Sequence, residues 1–185
     1  MRIARNFRVD QDLIIRFLDV FGGGAAILSG NKQARPGFFI FAHTFIQEYI
    51  EAGFFKKEEL LIETLKNNGF SQEEGPVGAM LAEQKKSRDA AEHLLSAVKG
   101  WQGGDEEARV EVGWAASEYT ATLRQHLDRL KNLIFPLLEQ NISPEDERRI
   151  SEGLNKIAFE NNLKDDADRF TKLLESLEEE LSDWR

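Results

Sequence analysis

Six polar side chains fall where an all-helical chain would turn them inward, and they set what chemistry this sequence can attempt. Glu58, Gln84, Arg88 and His126 lie on the inner seams of three amphipathic segments, and Gln11 and Tyr119 are placed to join them. A lone carboxylate or guanidinium is costly to bury. The set therefore predicts a Glu58–Arg88 ion pair, with His126, Gln84 and Tyr119 completing the hydrogen bonds. Other chemistries lack their parts. There is no cysteine, which removes disulfides, thiolate nucleophiles, iron–sulfur centres and Cys-based zinc sites. No Ser–His–Asp set, phosphate loop or isolated pair of carboxylates stands out. His43 is expected near a helix end, too far from the others to join them, and His93 is expected on the surface.

These residues need a scaffold, and the composition suits one. The chain has 185 residues, 41% hydrophobic and 31% charged, the balance of a single folded domain. Its 24 basic and 33 acidic residues leave a net charge of −9. That argues against nucleic acid as a partner, because phosphate binding draws on clustered Lys and Arg. No apolar run is long enough to span a bilayer, and residues 1–10 are too short and too charged to read as a secretion signal. A cytoplasmic location without membrane contact is the expectation.

The pattern is helical throughout, without the period-two alternation of strands. A first helix is expected from Asp10, through Leu13, Ile14, Phe17, Leu18 and Phe21, to 29–32. Gly22–Gly24 weaken it, and are read as letting helices approach closely or marking a helix break rather than as lining a cavity or channel. Pro36 opens a second helix that Gly69 stops, and Pro76 opens a third that ends near Gly100. A fourth runs from Glu106 to about Gln140. Four long helices with short loops predict an up-and-down antiparallel four-helix bundle over residues 1–142. Steps of three and four give seams His43, Gln47, Ile50, Phe54, Glu58 in the second helix and Leu81, Gln84, Arg88, Ala91, Leu95 in the third. In the fourth they give Tyr119, Leu123, His126, Leu130, Leu133, Leu137. Residues 143–185 are expected to pack on the bundle as a helical extension of the same domain. It starts at Ser143-Pro144-Glu145-Asp146, and its last helix, from about Asp165, carries the stripe Phe170, Leu173, Leu174, Leu177, Leu181, Trp184. Trp101, Trp114 and Trp184 are read as packing residues.

Several ordered motifs resemble the hemerythrin-like (HHE cation-binding) family. Phe54-Phe55-Lys56-Lys57-Glu58-Glu59 is similar to its His-His-x-Lys-Glu-Glu segment. Gly75-Pro76 followed by Met80-Leu81-Ala82-Glu83-Gln84-Lys85-Lys86-Ser87-Arg88 resembles its Gly-Pro…Met-Leu-x-Glu-His-x-x-x-Arg segment. Tyr119, His126 and Leu133-Ile134-Phe135-Pro136 fit its fourth helix. The resemblance implies a helical bundle in which His and carboxylate ligands hold two irons. Carried over position by position, the ligands fall at Gln11, Phe54, Glu58, Gln84, Arg88, His126 and Leu130 or Lys131, so only Glu58 and His126 keep the family's ligand type.

Gln is a poor iron ligand, Phe and Leu are none, and Arg88 brings its own positive charge. The expectation is thus a metal-free, cofactor-free, non-enzymatic binding or regulatory module, its partner a small molecule or a protein. A small anion would meet Arg88 and His126 beside Phe54 and Phe55. The alternative keeps one iron or other metal on Glu58 and His126, helped by Glu59 or Glu83, in a sensor or an oxygen- or iron-handling protein.

Overall fold

A computed structural model describes residues 2–28, 30, 33–163 and 168–185; of Arg2, Asn162 and Leu163 it describes the backbone only. Six helices follow one another: α1 (Arg2–Leu28), α2 (36–67), α3 (Gly75–Gln102), α4 (106–141), α5 (Pro144–Leu163) and α6 (Arg169–Trp184). There is no strand among the described residues. No helix there is long and apolar enough to cross a membrane.

Local chemistry explains the helix ends. Arg35 is extended and Pro36 opens α2, because a residue before proline avoids helical geometry. Gly69 takes a φ of +94°, and Phe70 N–H returns to Leu65 O at 3.0 Å, closing α2 with a left-handed cap. Asp105 accepts from Glu107 N–H at 3.0 Å to cap α4. Ser143 and Asp146 cap α5 reciprocally: Asp146 N–H donates to Ser143 Oγ at 3.1 Å, and Ser143 N–H donates to Asp146 Oδ2 at 3.5 Å.

Helices α1 to α4 form the bundle, with α3 along α4 and α4 along α1. Helix α1 begins eight residues before the expected Asp10, since Ile3 and Phe7 extend its buried stripe one turn at a time. Of its expected end at 29–32, Ser29, Asn31 and Lys32 lie outside the described residues, as does the expected start of the last helix at Asp165. Of the two readings of Gly22–Gly24, α1 runs through them without a break, and Gly24 lies in a close approach: a Cβ there would stand 2.6 Å from the Phe38 ring.

Two π-helical stretches, Ile46–Phe54 in α2 and Leu130–Ile134 in α4, each shift the helix phase. In α4 the stretch precedes Pro136, which has no N–H for the helical ladder. From its last residue on, the buried positions are Ile134, Phe135 and Leu138, where an unbroken seam expects Leu133 and Leu137. In α2 the stretch leaves Gln47 exposed while Ile46 and Ile50 are buried.

Helices α5 and α6 lie against the bundle. Ile150 and Leu154 of α5 are buried, and Gly153 faces Leu60 of α2. The stripe of α6 packs through Trp184 on Phe38 (4.8 Å between ring centres) and Phe170 on Phe45 and Tyr49, while Glu178 pairs with Arg16.

Candidate functional site

Glu58 stands one turn beyond the π stretch of α2, Glu83 and Gln84 lie side by side on α3, and His126 with Arg129 occupies one turn of α4. The tertiary fold brings these five together. His126 Nε2 is 2.6 and 2.9 Å from the Glu58 carboxylate oxygens, and its Nδ1 is 3.0 Å from Glu83 Oε1. Gln84 donates its amide N–H to Glu58 Oε1 at 2.9 Å. Arg129 Nε–H is shared between both oxygens of Glu83 at 3.1 Å. Glu58 is fully buried, His126 is 1% exposed and Gln84 4%.

Ionised carboxylates only accept hydrogen bonds, so an imidazole between two of them is best held with both nitrogens protonated. Burial works against the charged ring, but Glu58 and Glu83 outweigh it and raise the His126 pKa to about 9. Burial likewise opposes the Glu83 anion, and hydrogen bonds from His126 and Arg129 more than reverse this, lowering its pKa. Two carboxylates, one imidazolium and one guanidinium then sum to no net charge.

The other expected members stand elsewhere. Arg88 is exposed and pairs with no residue of the centre: its guanidinium lies 5.6 Å from the centre of the Phe55 ring, whose edge meets His126 at 5.8 Å. The Glu58–Arg88 ion pair is therefore replaced by Glu58–His126. The reason is helix phase, because α3 turns Glu83, Gln84 and Ser87 inward and leaves the next residue outside. Gln11 is half-buried and lines a surface groove with Arg8, Leu127 and Lys131. Tyr119 is fully buried but its ring packs edge-on against Phe21, and its hydroxyl has no hydrogen-bond partner among the described residues. Phe54 and Leu130 are buried in the apolar core. Glu59 is exposed, His93 is exposed as expected, and His43 is half-buried with a pKa lowered by burial and by Lys99.

Sequence reasoning placed Glu83 only as a helper, and missed Arg129. Its signal was the Glu83-Gln84 pair, since a broad helix face turns two adjacent residues inward. A second polar cluster was missed as well. Asp10, 8% exposed, accepts from Tyr49 Oη at 2.6 Å and from Lys57 Nζ. Burial and the Asp10 anion together push the Tyr49 phenol well above its ordinary pKa. Asp10 is the inward residue of α1 at this level, one position before Gln11.

The sequence model of the hemerythrin HHE cation-binding domain matches residues 15–138, about two thirds of the chain. The chain belongs to that family of helical bundles. The match begins after Gln11 and contains Glu58, Glu83, Gln84 and His126. No curated protein and no solved structure matches the chain significantly. Among the described residues no group of three or more His, Cys, Asp or Glu side chains is arranged to hold a metal ion. Glu58 and Glu83 meet opposite edges of one imidazole, so they do not converge on a common point.

Proposed function

We propose that this chain is a hemerythrin-like domain whose centre works without a metal, serving as a non-enzymatic binding or regulatory module. One observation carries the reading: His126 is bonded at both ring nitrogens to opposing carboxylates, so a proton occupies each position a metal would need. The surroundings support it. Phe54 and Leu130 offer no donor atom, Gln84 spends its amide on Glu58, and Arg129 adds a cation beside Glu83. Such a donor set does not fit a pair of irons, which require several anionic or imidazole ligands converging on them. A small anion at the centre is equally poorly served, because Arg88 is outside and both N–H groups of His126 are used. Partner binding then falls to the surface of a rigid bundle.

Elemental analysis of protein purified without chelator tests this, together with thermal melts with and without EDTA. Far less than one iron, manganese or zinc per chain and an unchanged Tm are expected. A second reading keeps one cation on Glu58 and His126, since both are ligand types iron accepts and the family is described as cation-binding. It predicts about one metal per chain, lost in His126→Gln, and that result would overturn the first.

A further inference from the structure

Trp114 is 67% exposed and Val110, one helical turn earlier, is 51% exposed, whereas Trp101 and Trp184 are buried at 7% and 8%. The expectation that all three tryptophans are packing residues fails for Trp114 alone. A single exposed apolar residue is ordinary, but here two adjoin, and Trp is among the residues most enriched where binding energy concentrates. Beside Trp114 lies a groove of about 460 Å³, walled by Ala25 and Leu28 of α1 and by Val110, Gly113 and Ser117 of α4. A Cβ at Gly113 would stand 3.7 Å from the Leu28 side chain, so α1 and α4 are in ordinary contact there.

Charge decides what fits there. Glu106, Glu107, Glu111 and Glu118 are exposed at steps of three and four from Val110 or Trp114, and so rim the apolar pair. Among the described residues lining the groove Arg109 is the one cation; it is turned to Leu28 O and lies over Trp101 at 5.4 Å, one positive charge against four glutamates. The opposing His93 reaches Glu111 only at 3.8 Å. The rim therefore presents negative charge around an apolar centre.

We propose that this α1–α4 face docks a basic amphipathic segment of a partner protein, its apolar side chains against Trp114 and Val110 and its Lys or Arg on the glutamate rim. Complementary charge steers such a segment and an aromatic anchor holds it. A second copy of this chain is the weaker occupant, because like acidic rims would face each other in a two-fold dimer. The proposal rests on the binding-module reading and names its partner class. Trp114 is twelve residues from His126, about 18 Å along one helix, so metal analysis tests that reading without touching this face.

The test uses the full chain and a fluorescein-labelled amphipathic Leu/Lys peptide of about 18 residues, five helical turns. A Leu/Glu peptide and an all-Lys peptide serve as controls. Saturable anisotropy for Leu/Lys alone is expected, with a blue shift and acrylamide protection of Trp114, the exposed tryptophan. Trp114→Ala should weaken binding by about tenfold or more while leaving the melt unchanged. Trp114→Phe should retain it within about threefold, and Glu111→Lys/Glu118→Lys should weaken it by about tenfold. Reversing Glu175 and Glu179 on α6 should change it by less than about twofold. Binding that is absent, or indifferent to Trp114→Ala, overturns the proposal. So does a dimer in sedimentation that Trp114→Ala converts to monomer.

Discussion

The two sides of the bundle centre are held together by opposite physics. On one side Glu58, Glu83, Gln84, His126 and Arg129 share six hydrogen-bonded contacts, all but Arg129 buried. On the other, Phe7 meets Phe54 at 5.9 Å and Phe135 at 5.5 Å, and Phe54 meets Phe55 at 6.4 Å, ring against ring without a polar atom. Phe55 joins the halves through His126. The charged half is tolerated because every ion has a counter-ion; the aromatic half needs none and fills by shape. Of the family ligand positions, Glu58, Gln84 and His126 lie on the polar side and Phe54 and Leu130 on the apolar one, while Gln11 and Arg88 belong to neither.

The largest effect is expected from breaking the charged half. His126→Ala leaves two buried carboxylates facing each other across a void, and should cost about 3–5 kcal/mol in urea unfolding. A loss below about 1 kcal/mol would mean water or a cation already screens Glu58. Next comes pH. The folded His126 pKa of about 9 lies above its ordinary value of 6.5, so its contribution is full below pH 6.5 and disappears as pH rises through 9. About 3 kcal/mol is at stake, measurable by chemical denaturation between pH 6 and pH 10. Glu83, whose pKa is depressed, works in the other direction: its share is present above its ordinary 4.5 and is lost as pH falls. In His126→Gln the alkaline decline should vanish.

Phe54→Leu probes the aromatic half and should cost about 1 kcal/mol with no change in pH profile, since shape there is replaceable by a similar volume. A new pH dependence in that variant would show that the halves are coupled through Phe55. The smallest effect is Arg88→Ala, under about 1 kcal/mol, because a solvent-facing contact with Phe55 and a charge interaction with Glu51 are removed. A cost near that of His126→Ala would return Arg88 to Glu58 and refute the division drawn here.

Much of this molecule was legible in the residues alone. Pro36, Gly69, Asp105 and the Ser143–Asp146 cap mark helix ends by local chemistry, which needs no tertiary partner to act. Glu58, Gln84 and His126 were readable as inward because each follows apolar neighbours at steps of three and four, and the motifs around them name the family. Phase was less readable. One residue turns a helix by about 100°, enough to send Arg88 to solvent and bring Glu83 to His126. A π stretch adds such a turn without a plain mark in the sequence, as at Leu133 and Gln47. What the chain dictated by itself is therefore local: where helices start and stop, which faces are apolar, and that an acid and a histidine must be buried. Which charge answers which was decided only when three helices met, because counter-ions are chosen by distance in space and helix phase sets that distance.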